Sequence, residues 1–366
     1  MNSEQLTSPA VHILLLAPSK TPIGGYKVAY EYANALVDLG IAVTVWHSEA
    51  FSVAYGSRRR TPRAVKSLLA WWLRGHRADW GKNGVTWFDL DPRVTVRATG
   101  WFPRIGLASG DAVIATAVQT MSFAGRLADR RHARSAALIQ HYETWAAAPE
   151  AIASAWSAVD ERIVIAPWLA EKCAELGLDS HLVPNALVAE SFPPGPSLDQ
   201  RPRRVLSLLA PHRYKRPDVV IATLSRVLER DPAAELYTFG QSLDRPDMPA
   251  SIRYVADPSP TRLSHLYRTC RVYLCGSDEE GWHLPPAEAT LSGASVVSTD
   301  IGGVRASMND DALYAPRGDA DGLAEQILVA LDNTEDSQQR VERARTRILG
   351  TTYAGNAQEI RRILGV

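Results

Sequence analysis

Short apolar runs alternate with longer segments of helical period along most of the chain. Near the start, Val11–Ala17 (VHILLLA) is almost wholly apolar, Val28–Gly40 (VAYEYANALVDLG) repeats apolar residues at helical spacing, and Ile41–His47 (IAVTVWH) is apolar again. Such runs predict strands buried on both faces, and the helix between them predicts parallel pairing. Gly24 and Gly25 lie in the loop Pro18–Lys27, so the opening reads as strand, glycine loop, helix, strand. Further β-like runs follow at Asp111–Ala117, Ser135–Glu143, Glu161–Pro167 and Ser180–Leu187. Ser191–Arg204 (SFPPGPSLDQRPRR) is Pro-rich, polar and unpatterned, which predicts a linker.

The alternation then restarts. Arg204–Ala210, Ala234–Gly240, Ser251–Asp257, Arg271–Ser277 and Ala294–Thr299 read as strands, with helices over Pro217–Glu229 and Pro260–Cys270. Two successive α/β halves predict two doubly wound, Rossmann-like domains, over 1–190 and 205–348, facing each other across a cleft. A terminal amphipathic helix within 349–366 is free to pack on either domain. Ligands in such sheets meet the carboxyl ends of the strands. The region from Phe51 to Gly110 fits the alternation poorly and reads as an insertion.

Length and charge narrow the picture. The 366 residues suit two domains at about 100–200 residues each. Lys plus Arg and Asp plus Glu both number 40, so no global charge draws the chain to nucleic acid. Three cysteines (Cys173, Cys270, Cys275) form neither a disulfide framework nor a CxxC pair, which points to a reducing cytoplasm. The run at Val11 is too short to span a membrane, and no Lys or Arg precedes it as in a signal peptide. Arg58–Lys82 is basic around a single acid, Asp79, and contains Trp71 and Trp72. It reads either as a solvated helix packed through its tryptophans or as a peripheral patch for the inner face of the cell membrane.

The densest chemistry is Glu279–Thr290 (EEGWHLPPAEAT), between two strand-like runs. Pro285 and Pro286 suit the first turn of a helix, where a missing N–H is no loss. A helix start offers unpaired N–H groups and a positive dipole end to an anion. Asp89-Leu90-Asp91 spells D-x-D, a metal–diphosphate motif elsewhere, but with Pro92 following it reads as an Asx turn. The loop after the first strand lacks GxGxxG, which disfavours a nicotinamide dehydrogenase.

Over most of its length the chain resembles the retaining glycosyltransferases of family 4, which have the GT-B fold. Their E-G-F-G-L-P-x-x-E-A motif is matched by Glu280-Gly281-Trp282-His283-Leu284-Pro285-Pro286-Ala287-Glu288-Ala289. The resemblance implies that Glu280 contacts hydroxyls of a donor sugar as a catalytic residue and that Glu288 holds the nucleotide ribose. It also implies that the turn Gly281, Trp282, His283 and Leu284 binds the diphosphate, with Trp282 packing in place of phenylalanine. APHRYKRPDVV (210–220) resembles the segment that brings Lys215 and Arg213 to the diphosphate, and Arg216, in the place of a common glycine, reads as surface charge. STDIGGVRA (298–306) would bring Gly302 and Gly303 close to the donor, and Gly24 and Gly25 would lie near donor phosphates or acceptor. IQHYETW (139–145) would set His141 beside the transferring sugar, with Glu143 on the acceptor side. LVPNAL (182–187) resembles a hinge segment, with Ala186 replacing glycine. His283 also stands where glycine is common, and its bulk would narrow the donor pocket.

The implied reaction is metal-independent and cofactor-free. A nucleotide-diphosphate sugar, such as dTDP-rhamnose or another NDP-hexose, would react with a carbohydrate or lipid-linked acceptor: a glycan, a glycolipid or a natural product. A sugar-nucleotide epimerase and a non-catalytic carbohydrate-binding relative are the alternatives.

Overall fold

The computed structural model describes residues 9–48, 85–99, 105–242 and 247–366. The basic segment Arg58–Lys82, expected as a membrane patch or solvated helix, lies outside the described residues. The chain divides into two compact units, one of residues 1–185 with 353–366 and the other of residues 186–352.

The first unit is built on a parallel seven-stranded sheet with the order β3-β2-β1-β4-β5-β6-β7. Its strands are β1 (Ala10–Leu15), β2 (Ala42–Ser48), β3 (Thr95–Thr99), β4 (Ala112–Ala115), β5 (Arg134–Ile139), β6 (Glu161–Val164) and β7 (His181–Leu182). Ile13 pairs with Val45 on one side and Ile114 on the other, so the first strand is central and buried, as its unbroken apolar run requires. The helices are α1 (Gly24–Asp38), α2 (Val118–Asp129), α3 (Pro149–Ser157), α4 (Pro167–Glu175) and the terminal α11 (Tyr353–Leu364). The last of these packs on α1, where Asn356 Nδ2 donates to Pro184 O at 2.6 Å and to the Tyr32 hydroxyl at 3.2 Å. The expected strand over Ser180–Leu187 is cut to two paired residues, because Pro184 has no N–H with which to continue the ladder.

The second unit carries a parallel six-stranded sheet, β10-β9-β8-β11-β12-β13. The strands are β8 (Arg204–Leu208), β9 (Glu235–Gly240), β10 (Ile252–Ala256), β11 (Val272–Cys275), β12 (Ser295–Thr299) and β13 (Leu313–Ala315). The helices are α5 (Pro217–Arg230), α6 (Pro260–Thr269), α7 (Leu284–Leu291), α8 (Gly302–Met308), α9 (Ala320–Asp332) and α10 (Thr334–Leu349). Val219, Leu224 and Val227 of α5 meet Leu323, Ile327 and Leu331 of α9 in one core with the apolar side chains of β8 and β11. In each sheet the strand order reverses beside the first strand, and that reversal opens a crevice at the carboxyl edge.

Residues 191–204, expected as a linker, fall within the second unit. Arg201 is buried there, and its guanidinium donates to Pro196 O, Cys270 O and Ser292 O, each at 2.8 Å. A buried cation is tolerable where carbonyl oxygens take its N–H groups, and here they tie the Pro-rich segment to the ends of α6 and α7. Among the described residues no helix is long and apolar enough to cross a membrane.

Candidate active site

The reversal in the second sheet lies between β8 and β11, so the loops after these two strands share one crevice. Lys215 leaves the first loop from a single 3₁₀ turn, Arg213–Lys215, and Glu280 leaves the second. Its ammonium donates to both carboxylate oxygens, at 2.6 Å to Oε1 and 2.8 Å to Oε2. Ser277 Oγ donates to Oε1 at 2.7 Å, and His283 Nδ1 stands 3.3 Å from the same oxygen. The backbone joins the loops as well, since Asp278 N donates to Tyr214 O at 2.8 Å.

Burial alone would raise the Glu280 carboxyl, but the charges on His283 and Lys215 hold it well below the usual carboxylate range. Burial would lower His283 by itself, yet Glu280 and then Cys275 keep the imidazole protonated up to about 9. His283 also hydrogen-bonds the Cys275 thiol at the end of β11, which burial would raise and the imidazolium lowers. Two cations thus flank one carboxylate, and since Glu280 and His283 are buried their charges act with little screening.

His283 adopts φ 56° and ψ 85°, a left-handed conformation, immediately before α7. Arg216 does the same before α5, at φ 47° and ψ 58°. Glycine is common at both positions in the family the sequence resembles, and the left-handed backbone supplies the reason. Arg216 is not the plain surface charge expected of it. Its Nη1 reaches both oxygens of Asp278 at 3.1 and 3.0 Å, while Nε and Nη2 hold Asp218 at 3.0 and 2.8 Å. The first bridge runs beside Lys215–Glu280 and fastens the same two loops.

Glu288 lies in α7, buried, and accepts from the Tyr267 hydroxyl at 3.1 Å. Pro285 and Pro286 remove two N–H groups from the first turn of α7, so the backbone donors there come from Leu284 and the turn Gly281–His283. Trp282 is buried. Gly303, in the first turn of α8, meets the backbone of Glu280: a Cβ there would stand 2.7 Å from the Glu280 carbonyl carbon. Gly302 opens the same helix. Arg213 is exposed on its turn and does not join the Lys215–Glu280 group.

The remaining candidates belong to the first unit. Gly24 and Gly25 are not loop residues there but the first two residues of α1, behind Ile23. Gln140 Nε2 donates to Gly25 O at 3.0 Å, tying this turn to the loop after β5. His141 follows, its ring edge-on to Trp145 and Trp168 with centroids 4.3 and 5.8 Å away. Glu143 accepts from Val118 N at 2.8 Å, capping α2 where Ala117 offers no side-chain oxygen. Burial raises its carboxyl to about 7, and the bond from Val118 offsets only part of that. The D-x-D aspartates form a turn, with Arg93 N donating to Asp91 Oδ1 at 2.8 Å and the Arg93 side chain paired to the same carboxylate. Among the described residues no group of three or more His, Cys, Asp or Glu side chains is placed to hold a metal ion.

Ser277, Cys275, Arg216, Tyr267 and Gln140 were not singled out for this chemistry by the sequence. Only Arg216 carried a signal, by replacing glycine ahead of a proline-started helix.

Comparison with known proteins agrees with this architecture. The family described as "Glycosyl transferases group 1" matches residues 204–333, which hold the whole second-unit cluster. A phosphatidyl-myo-inositol mannosyltransferase of Mycolicibacterium smegmatis is 25% identical over 201 residues, 51% of this chain and 52% of that protein. A D-inositol 3-phosphate glycosyltransferase of Nocardia farcinica is 28% identical over 114 residues, covering 27% of this chain and 25% of its own length. The chain thus spans about half the length of the first curated relative and a quarter of the second. Among solved structures, sucrose-phosphate synthase from Thermosynechococcus elongatus superposes with TM-score 0.68 at 14% identity, covering 97% of this chain and 98% of that one. Anabaena HepE in complex with UDP gives TM-score 0.71 at 12% identity, covering 97% and 99%. Two parallel-sheet α/β units in this order are those of the GT-B glycosyltransferase fold, and the second unit carries the group 1 match.

Proposed function

We propose that the protein is a retaining, metal-independent glycosyltransferase of family 4, taking its sugar from a nucleotide-diphosphate donor held by the second unit. The observation that carries this reading is the pair of half-buried Lys215 and buried Glu280 at the reversal of the second sheet, next to the start of α7. A diphosphate placed there meets the Lys215 ammonium and the backbone N–H groups before α7. These charges are fixed before the substrate arrives, so they stabilise a departing diphosphate without reorganising. Glu280 faces the sugar and Glu288 the ribose. Front-face substitution, with the leaving diphosphate accepting the acceptor's proton, is the mechanism proposed for this cluster. In the first unit, His141 is proposed as a catalytic residue beside the transferring sugar, Gly24 and Gly25 as lying near donor phosphates or acceptor, and Glu143 as an acceptor-side residue.

UDP-bound HepE and the mannosyltransferase relative support a nucleotide-sugar donor in general terms. A dTDP-deoxyhexose such as dTDP-rhamnose is proposed from motif resemblance. Thermal shift with UDP-, GDP- and dTDP-sugars, with and without EDTA, tests the reading. One nucleotide should stabilise wild type equally in both conditions and fail with Glu288→Ala. A shift abolished by EDTA rejects metal independence, and no shift with any nucleotide rejects the donor site. Peripheral membrane contact through Arg58–Lys82 belongs to the same proposal. Liposome flotation should lose the chain when Arg58, Arg59, Arg60 and Arg63 are neutralised, and equal recovery removes that part.

A further inference from the structure

Glu280 has an uneven supply of partners. A carboxylate offers about four acceptor positions, two on each oxygen. Among the described residues Oε1 meets Lys215, Ser277 and His283, whereas Oε2 meets Lys215 alone. His283 is therefore part of what orients the carboxylate. It does so from a left-handed backbone that its side chain makes less favourable than glycine would, and such outliers persist where surrounding contacts hold them. The contacts are Glu280 Oε1 and the Cys275 thiol, and both partners are buried with the ring.

We propose that His283 is a positioning residue for donor selection: by occupying Oε1 of Glu280 it leaves Oε2 as the single acceptor, for one hydroxyl of the donor sugar. The nucleotide part of the donor is bound elsewhere in the same cluster, so His283 acts on the sugar and not on the nucleoside diphosphate. This rests on the donor-site reading above. Three ionisable groups face the ring: Glu280 from the loop after β11, Cys275 from β11 itself and Lys215 from the loop after β8. The first two favour the protonated ring and the third opposes it.

The test compares the affinities of a nucleotide sugar and of its nucleoside diphosphate, by calorimetry, across the UDP, GDP and dTDP series. In wild type the sugar should add affinity beyond the diphosphate. His283→Gly suits the backbone and should keep the fold, while reducing that increment about tenfold, the value of one charge-assisted bond. Diphosphate affinity should stay within about twofold. His283→Asn tolerates a left-handed backbone and places an amide N–H where Nδ1 stood, so it should restore most of the increment. The wild-type increment should fall as pH rises through about 9, where the ring loses its proton, and should stay flat in His283→Asn. Equal weakening of sugar nucleotide and diphosphate in His283→Gly, or an unchanged increment, overturns the inference while leaving the donor site intact. Failure of wild type to bind any nucleotide overturns both.

Discussion

Lys215 grips both oxygens of Glu280, at 2.6 and 2.8 Å, although 65 positions separate them in sequence. They meet because β8 and β11 are neighbours where the second sheet reverses its order. Removing Lys215 takes one countercharge from the buried Glu280 carboxylate, and a buried charge left short of compensation costs about 3–5 kcal/mol. Lys215→Ala should therefore lower the thermal stability of the second unit by roughly 10 °C, at 2–4 °C per kcal/mol. Glu280→Gln should cost a similar amount, because it takes the carboxylate charge away from both the Lys215 ammonium and the His283 ring. Calorimetric unfolding of the single and double variants checks this, and the double variant should cost less than the sum. Additive losses would show that the two side chains do not depend on each other.

Gly303 tests the close approach on the other side of Glu280. A Cβ there would strike backbone and not a flexible side chain, so α8 or the Glu280 loop must shift. Gly303→Ala is expected to cost about 1–3 kcal/mol, the usual range for overpacking. It should also weaken nucleotide-sugar binding, by moving Glu280 off Lys215. Gly106→Ala, with no atom of the described residues within 4 Å of the added carbon, provides the control that should change neither.

Glu143 gives the first unit a pH signature. Its carboxyl has an ordinary value of 4.5, and burial raises it to about 7 in the folded chain. Between these values the folded state holds a proton that the unfolded chain has released, so stability falls as pH rises from about 4.5 to 7. The loss should approach about 3 kcal/mol. Glu143→Gln keeps an acceptor for Val118 N and should flatten the profile. A profile with the same slope in the variant would assign the dependence to another group.

Much of the architecture was legible because parallel strands buried on both faces leave apolar runs that need no context. The acidic pair around the turn was legible too, since a strand before and a proline-started helix after Glu280 are local signals. What was missed depends on distant partners. The double glycine at 24–25 reads as loop, yet α1 begins there, with the Gly25 carbonyl held by Gln140. Helix α2 starts at Ala117-Val118 without a capping side chain at Ala117 itself, and Glu143 accepts from Val118 N from 25 positions away. The segment 191–204 reads as linker by composition, and only the carbonyl clamp on Arg201 shows that it is anchored. Arg216 and His283 read as departures from glycine. The structure keeps the glycine-like backbone at both and gives each side chain an ion pair.

The central claim is that the loops after β8 and β11 form a nucleotide-diphosphate site. Equilibrium titration of wild type and Lys215→Ala with UDP-, GDP- and dTDP-sugars tests it most directly. The account predicts saturable binding of one nucleotide per chain in wild type and affinity at least about tenfold weaker in the variant, the loss of one buried charge contact. Binding of equal strength in a folded Lys215→Ala protein, or no binding of any nucleotide to wild type, would contradict it.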